Sequence, residues 1–122
     1  MATFPKGFPR RGEIYDVDFG TPRGSEQAGR RPALVVSNDV NNLRSPVVIV
    51  ATITKTIPKK AYPFNVDLPA GALPLGGTIY CGQVLTIDKT RLLRHRGELD
   101  AVKVAEVNRA LCVALGLPKP PK

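Results

Sequence analysis

The chain has few of the residues on which most hydrolytic active sites depend. It contains one histidine, two cysteines and no tryptophan. A metal centre needs several His, Cys or carboxylate side chains at short spacing, and no such group is present in the sequence. The sequence also lacks a GxxxxGK phosphate loop and a GxGxxG dinucleotide motif. We therefore expect chemistry without a metal or a cofactor, based on Arg, Glu, Thr, Lys and the backbone.

The scarce residues also indicate where the protein works. His95 lies in the arginine-rich stretch RLLRHRGEL and is expected at the surface, without a catalytic partner. Cys81 and Cys112 are far apart in the sequence, with no metal-ligand spacing around either, and are expected to be buried free thiols in a reducing compartment. No apolar run approaches the roughly 20 residues that span a bilayer, and residues 1–10 do not resemble a signal peptide. A cytoplasmic protein without membrane contact is expected.

Acidic residues are in short supply. Among 122 residues, 18 Lys and Arg face 10 Asp and Glu, which gives a formal net charge of +8. A basic surface on a single small domain favours a polyanionic partner, most often nucleic acid. It is equally consistent with a charge that only keeps the protein soluble.

The hydrophobic pattern is mostly that of β-strands. Alternating or continuous apolar residues predict strands at 13–19, 32–37, 46–54, 62–68 and 77–87. Gly82, inside the last of these, predicts a bulge or a close backbone approach. A helix is predicted between Asp100 as its N-cap and Gly116 as its stop. The fold class is therefore mainly β with α: a small, strongly bent sheet or barrel that the terminal helix closes.

The ends differ in composition from the rest of the chain. Proline-rich segments at 1–9 and 118–122 are not expected to hold regular structure. The predicted organisation is thus a flexible N-terminal segment at 1–9, one domain at 10–117, and a Pro/Lys-rich tail at 118–122.

One polar loop leads directly into a core strand. Residues 21–32 read TPRGSEQAGRRP, where two glycines can expose backbone amides and the arginines supply fork-shaped donors for an anion. Pro32 restricts Arg31 to an extended conformation at the start of the strand. The alternative is an ordinary hairpin loop with an Arg–Glu pair at the surface.

A second polar group follows the third predicted strand. Thr52 and Thr54 end this strand, and Lys55, Lys59 and Lys60 come after it. In isolation these are unremarkable strand-end and loop residues. Because consecutive strands often pair, they are expected near Arg31, where hydroxyls and cations would form a phosphate pocket.

Several ordered motifs together resemble the MazF/PemK family of toxin endoribonucleases over about residues 10–117. The motifs are RGEIYDVDF, GSEQAGRRPALVVSND, ATIT followed by YPFNVDLP, and QVLTIDKTRL. The resemblance implies a small SH3-like β-barrel that forms a homodimer. It also implies metal-independent cleavage of single-stranded RNA, with the ribose 2′-OH as nucleophile and with 2′,3′-cyclic phosphate and 5′-OH ends.

The resemblance assigns roles to three residues. Arg31 and Thr54 match positions that the family treats as catalytic, and Glu26 is the carboxylate of the GSEQ motif. Glu26 is a candidate to accept the 2′-OH proton, to orient Arg31 or to hold a base. Some relatives carry an acid where this chain has Gly82, and some carry histidine where it has Ser25, so mechanisms that need those groups do not transfer.

Further residues are expected to contact RNA, with Tyr62 as a stacking platform. They are Arg23, Ser25, Gln27, Arg30, Asn42, Thr52, Lys55, Lys59, Lys60 and Gln83. The expected partners are single-stranded RNA, an acidic antitoxin of the MazE type and a second copy of the chain. Two alternatives are a toxin of the same fold that poisons DNA gyrase, which the lack of tryptophan disfavours, and an RNA-binding module without activity.

Overall fold

The computed structural model of the protein describes residues 3–20, 29–55, 62–68 and 76–118. Some of the predicted site residues lie outside these ranges, namely Arg23, Ser25, Glu26, Gln27, Lys59 and Lys60. The others lie within them: Arg30, Arg31, Asn42, Thr52, Thr54, Lys55 and Gln83.

Within these ranges, six strands form one antiparallel sheet that curls into a half-barrel. The elements are β1 (Glu13–Asp18), β2 (Arg30–Val35), α1 (Asp39–Arg44), β3 (Val47–Thr54), β4 (Asn65–Leu68), β5 (Gly77–Asp88), a 3₁₀ turn (Lys89–Arg91), β6 (Leu92–Glu98) and α2 (Ala101–Leu115). The strand order is β4-β5-β3-β2-β1-β6. None of the helices in the described part of the chain is long and apolar enough to cross a membrane.

The predicted mainly-β fold with a C-terminal helix is confirmed. All five predicted strands are present, and α2 begins after the Asp100 N-cap and ends at Gly116, whose φ is 69°. Three elements were not predicted: α1, the 3₁₀ turn and β6. The sequence of β6, LLRHRGE, has few apolar residues and therefore no strand pattern. β6 lies at the edge of the sheet, where few of its side chains are buried.

The sheet buries side chains on both faces. Leu34, Ala51 and Ile53 belong to the core under α2, together with Val107 of that helix. Ala33 and Val35 belong to a second core on the opposite face, which Phe4 of the N-terminal segment helps to cover. Strands β2 and β3 are therefore buried on both sides, as their unbroken apolar runs predict, and they form the rigid centre of the fold.

His95 is not the isolated surface residue that the sequence predicts. Its Nε2 lies 3.1 Å from Oε2 of Glu13, a carboxylate that is 1% exposed. Oε1 of Glu13 accepts hydrogen bonds from the Arg10 amide at 2.6 Å and from the Tyr15 hydroxyl at 3.1 Å. The pairing of β1 with β6 sets Tyr15 opposite His95. Because no strand is predicted for β6, the contact between Glu13 and His95 is not predicted either.

This cluster predicts a loss of stability at alkaline pH. Burial and the nearby Glu13 carboxylate raise the pKa of Tyr15 above its usual value of 10.0. Above about pH 10 the unfolded chain therefore releases this proton before the folded protein does, and the free energy of unfolding falls. Urea unfolding between pH 8 and pH 11 measures this decline.

The Tyr15→Phe variant should show a shallower decline, because its unfolded chain has no such proton to release. Tyr62→Phe, at a tyrosine that is 45% exposed, is the matched control and should retain the wild-type slope. Equal slopes in wild type and Tyr15→Phe would contradict this account.

Candidate active site

Strands β2 and β3 bring Arg31 and Thr54 to one face of the sheet. Ala33 of β2 pairs with Thr52 of β3, and extending this register by two residues sets Arg31 opposite Thr54. Because side chains alternate between faces, Arg31 lies on the same face as Ala33, and Thr54 lies on the same face as Thr52. This is the face opposite α2. Two residues that are 23 positions apart in the sequence thus lie at the same end of adjacent strands and on the same face of the sheet.

Different neighbours hold these two residues. Arg31 is exposed and pairs with Val17 of β1, whereas Thr54 is half-buried and pairs with Thr78 of β5. The ladder between β2 and β3 ends at the pair Ala33–Thr52 and does not include Arg31 and Thr54. A guanidinium and a hydroxyl are thereby supported from opposite sides, which suits an anion that lies between them.

The GSEQ-containing loop is closed by a pair of glycines beside this site. The Gly29 amide donates to the Gly20 carbonyl at 2.9 Å, and the Phe19 amide donates to the Gly29 carbonyl at 2.9 Å. Gly20 and Gly29 have φ angles of 75° and 70°, a region that favours glycine. We call this pair the glycine neck. It sets both ends of segment 21–28, which carries Glu26, next to the first residues of β2.

Thr52 lies beneath the surface and is hydrogen-bonded to Gln83. It is 2% exposed, and its hydroxyl donates to Oε1 of Gln83 at 3.2 Å. Gln83 itself is exposed. Thr52 therefore offers almost no surface of its own to a ligand, and its hydroxyl holds the side chain of the exposed Gln83.

Asn42, also expected at the RNA interface, lies in the core instead. It is 0% exposed; its Oδ1 accepts from the Ser37 hydroxyl, and its Nδ2 donates to the Ser37 carbonyl at 2.9 Å. These bonds anchor α1 to the end of β2. We therefore leave Asn42 out of the interface, because it has no surface to offer a ligand.

Arg30 and Lys55 are the sequence neighbours of Arg31 and Thr54. Both are exposed, one beside Arg31 in β2 and the other directly after Thr54. Arg30 pairs with Asp18, whose carbonyl accepts a hydrogen bond from Nη1 of Arg91 at 3.1 Å. Arg30, Arg31 and Arg91 thus bring positive charge to this end of the sheet.

Of the two alternatives predicted at Gly82, the bulge is confirmed. Ala51 pairs with Val84 and Thr52 pairs with Tyr80, so residues 81–83 form a bulge in β5 relative to β3. A Cβ atom at Gly82 would lie 3.2 Å from Cδ1 of Phe64. The Cys81 amide donates to the Phe64 carbonyl at 2.9 Å, which ties the bulge to the residue before β4.

The bulge opens a cleft of about 310 Å³ beside Gln83. Its lining is Tyr62, Phe64, Asn65, Tyr80, Gly82 and Gln83. The rings of Tyr62 and Phe64 are stacked, with centroids 5.0 Å apart and an angle of 18° between their planes. The sequence indicated Tyr62 and Gln83 separately, but only the fold brings them to one surface.

Cys81 and Cys112 are free thiols, as predicted, but only Cys81 is buried, and Cys112 in α2 is partly exposed. Burial raises the pKa of the Cys81 thiol to about 11, so this group is protonated at neutral pH. Cys81 belongs to the core under α2 and points away from Arg31 and Thr54. It is a core residue and not a nucleophile.

Two residues that the sequence analysis did not single out support Thr54. Gly77 approaches so closely that a Cβ atom there would lie 2.5 Å from the Thr54 carbonyl oxygen. Thr78, which pairs with Thr54, is 1% exposed, and within the described residues its Oγ1 has no hydrogen-bond partner. No sequence signal distinguishes this glycine, because its importance comes from the neighbouring strand.

We expect Gly77→Ala to displace the end of β3 and to lower the free energy of unfolding by about 1–3 kcal/mol, the usual cost of overpacking. Gly82→Ala is the matched control, because the atom closest to its new Cβ belongs to a side chain that can shift. Urea unfolding of both variants tests this difference. Equal stabilities would contradict the proposed close approach.

Comparison with known proteins identifies the family of the chain. Residues 10–115 match the model of a family described as PemK-like, MazF-like toxins of type II toxin–antitoxin systems. The chain is 40% identical over 110 residues to Endoribonuclease MazF from Staphylococcus saprophyticus, covering 88% of this chain and 92% of that protein.

Solved structures show the same fold. An endoribonuclease in complex with its cognate antitoxin from a mycobacterial species superimposes with a TM-score of 0.78 at 30% identity, covering 92% of this chain and 99% of that one. MazF from Deinococcus radiodurans gives a TM-score of 0.77 at 32% identity, covering 90% and 98%. The chain belongs to the PemK-like, MazF-like family of type II toxins.

Proposed function

We propose that this protein is a metal-independent endoribonuclease that cuts single-stranded RNA at specific sequences. In this reaction the ribose 2′-OH attacks the adjacent phosphorus and displaces the 5′ oxygen of the next nucleotide. The products carry a 2′,3′-cyclic phosphate and a 5′-OH. The observation that carries the proposal is the register of β2 and β3, whose last pair is Ala33 and Thr52: continued by two residues, it sets Arg31 opposite Thr54.

Arg31 is proposed to stabilise the charge that develops on the phosphorane-like transition state. A guanidinium offers several N–H donors in a fixed plane and keeps its proton throughout the physiological pH range. It is therefore suited to electrostatic stabilisation and poorly suited to donate a proton. The rigid, doubly buried centre of β2 holds its backbone in place, and such positioning is essential, because a shift of about 1 Å can cost about 10²-fold in rate.

Thr54 is proposed to donate a hydrogen bond to a non-bridging phosphate oxygen. Its backbone is held by the pairing with Thr78 and by the close approach of Gly77. A hydroxyl in a fixed position strengthens the interaction with the more negative transition state over that with the substrate. Thr54 thus complements Arg31 from the other strand.

Glu26 is the proposed partner in proton transfer or in the orientation of Arg31. It lies in segment 21–28, whose ends the glycine neck sets beside β2. A general base contributes about 10²–10⁴ in rate and imposes an acidic limb on the pH profile. Loss of that limb in Glu26→Gln identifies the base role, whereas a uniform decrease at every pH identifies the orienting role.

The RNA interface is proposed to extend from this pair to Arg30, Lys55 and Gln83, which are all exposed. Arg23, Ser25, Gln27, Lys59 and Lys60, which lie outside the described residues, remain proposed contributors. With a net charge of +8, binding is expected to weaken steeply as the salt concentration rises. The proposed place of action is the cytoplasm, where messenger RNA is translated.

An acidic antitoxin is the proposed protein partner. The mycobacterial relative was solved with its cognate antitoxin, and MazF from Deinococcus radiodurans was solved with MazE. A flexible acidic segment of such a partner would meet the same cationic side chains as the RNA and would block them.

A homodimer is the proposed assembly, and α1 provides an apolar surface for it. Val40 and Leu43 of α1 are 69% and 54% exposed, and Ile49 of the adjoining β3 is 37% exposed. Neighbouring exposed apolar side chains of this kind mark interaction sites.

RNA cleavage in EDTA tests the proposed activity. The wild type should cut a long single-stranded RNA at defined sites and leave cyclic phosphate ends. Arg31→Ala should reduce the rate about 10²–10³-fold, because an electrostatic donor is lost from the transition state. Thr54→Val, which keeps the side-chain shape and removes the hydroxyl, should reduce it as well.

Arg109→Ala is the matched control, since Arg109 is an exposed arginine of α2 on the other side of the sheet. It should cut at the wild-type rate. RNA binding without any cleavage, or DNA breaks that depend on gyrase, would contradict the proposal and favour a non-cleaving module or a gyrase poison.

Leu43→Asp should shift the protein from dimer to monomer, because a carboxylate would be desolvated in the apolar contact. Light scattering after size exclusion measures the mass. Val102→Asp, at an exposed valine of α2, is the control and should remain dimeric. An unchanged dimer in Leu43→Asp would place the interface elsewhere.

A further inference from the structure

The aromatic cleft lies beside the proposed catalytic pair. Gln83 at its rim is hydrogen-bonded to Thr52, and Thr52 is two residues before Thr54 in β3. Two residues of an extended strand span about 7 Å. A ligand that reaches from Arg31 and Thr54 along this face therefore meets the cleft next.

The cleft depends on the absence of a side chain at residue 82. The Phe64 ring lies 3.2 Å from the point that a Cβ atom of that residue would occupy. Two backbone bonds fix this arrangement: the Cys81 amide donates to the Phe64 carbonyl at 2.9 Å, and the Asn65 amide donates to the Tyr62 carbonyl at 3.0 Å. Any larger side chain at this position would displace the ring or fill the cleft.

Its walls combine flat apolar surfaces with amides. Tyr62, 45% exposed, stacks on Phe64 and leaves aromatic surface in contact with solvent. The Gln83 amide is oriented by Thr52, and Oδ1 of Asn65 is buried without a hydrogen-bond partner among the described residues. Aromatic faces with adjacent amides are the groups that proteins use to stack and hydrogen-bond unpaired bases.

We propose that this cleft binds one unpaired nucleobase of the RNA, at a position flanking the cleaved phosphodiester, and that it sets the sequence preference at that position. This inference rests on the proposed function. Phe64 and Tyr62 contact the base. Thr52 is a positioning residue that holds the Gln83 amide.

The test maps cut sites across a long RNA by sequencing its 5′-OH ends, for the wild type, Phe64→Leu and Gly82→Leu. Both variants should lose base preference at one position and keep it at the others. Loss of one base stack should lower kcat/KM for the best site about 5- to 150-fold, which corresponds to about 1–3 kcal/mol. Thr52→Val should relax the same position, and Thr52→Ser, which keeps the hydroxyl, should restore it.

Phe8→Leu is the matched control, because Phe8 packs against Arg10 outside the cleft. It should retain the wild-type cut sites and rate. Unchanged preferences in Phe64→Leu and Gly82→Leu would overturn the proposal. So would a weaker affinity of these variants for an acidic antitoxin peptide with no change in cut sites, since the cleft would then serve a protein partner.

A binding experiment separates this inference from the proposed activity. Fluorescence anisotropy with eight-nucleotide oligomers of A, C and U compares Arg31→Ala with Arg31→Ala/Phe64→Leu, so that no cleavage is required. The double variant should bind less tightly and discriminate less among the three oligomers. The same binding result, together with a wild-type protein that cuts no RNA in EDTA, would support base binding by the cleft and overturn the proposed nuclease activity. Equal binding by the two proteins would overturn the cleft alone.

Discussion

The antiparallel register between β2 and β3 is the constraint on which the site depends. The pairing of Ala33 with Thr52 decides which side chains share a face and which residues stand opposite each other. A slip of β2 by one residue would turn Arg31 to the α2 side while Thr54 stayed on the opposite face, and it would exchange the apolar side chains of β2 between the two cores. The hydrophobic cores on both faces therefore secure the alignment of the proposed catalytic pair, Arg31 and Thr54.

Strands β2 and β3 are each supported by a different neighbouring strand. On one side, β1 supports Arg31, and the glycine neck brings the polar loop to it. On the other side, β5 supports Thr54 through Thr78 and Gly77, and its bulge forms the cleft. The proposed chemistry and the proposed base recognition thus lie on separate strands, and the hydrogen bond from Thr52 to Gln83 connects them.

The sequence predicted those parts of the fold that local patterns encode. Unbroken β-branched runs identified β2 and β3, and the capping residues Asp100 and Gly116 identified α2. The polar edge strand β6 escaped detection because few of its side chains are buried, and the Glu13–His95 contact was missed with it. Asn42 was predicted at the interface because the sequence does not show whether an asparagine side chain faces solvent or, as here, is buried and hydrogen-bonded to Ser37. Gly77 had no signal at all, since its role lies in the distance to another strand.

The glycine neck separates the polar loop from the strand that follows it. Its two hydrogen bonds join main-chain atoms of Phe19, Gly20 and Gly29, so no side chain takes part in them. Loops that connect the strands of a fixed scaffold tolerate insertions and substitutions. An exchange of segment 21–28 would therefore alter residues that are proposed to contact RNA while β1 and β2 stay joined, provided that the carboxylate of Glu26, proposed to act in the reaction, is kept.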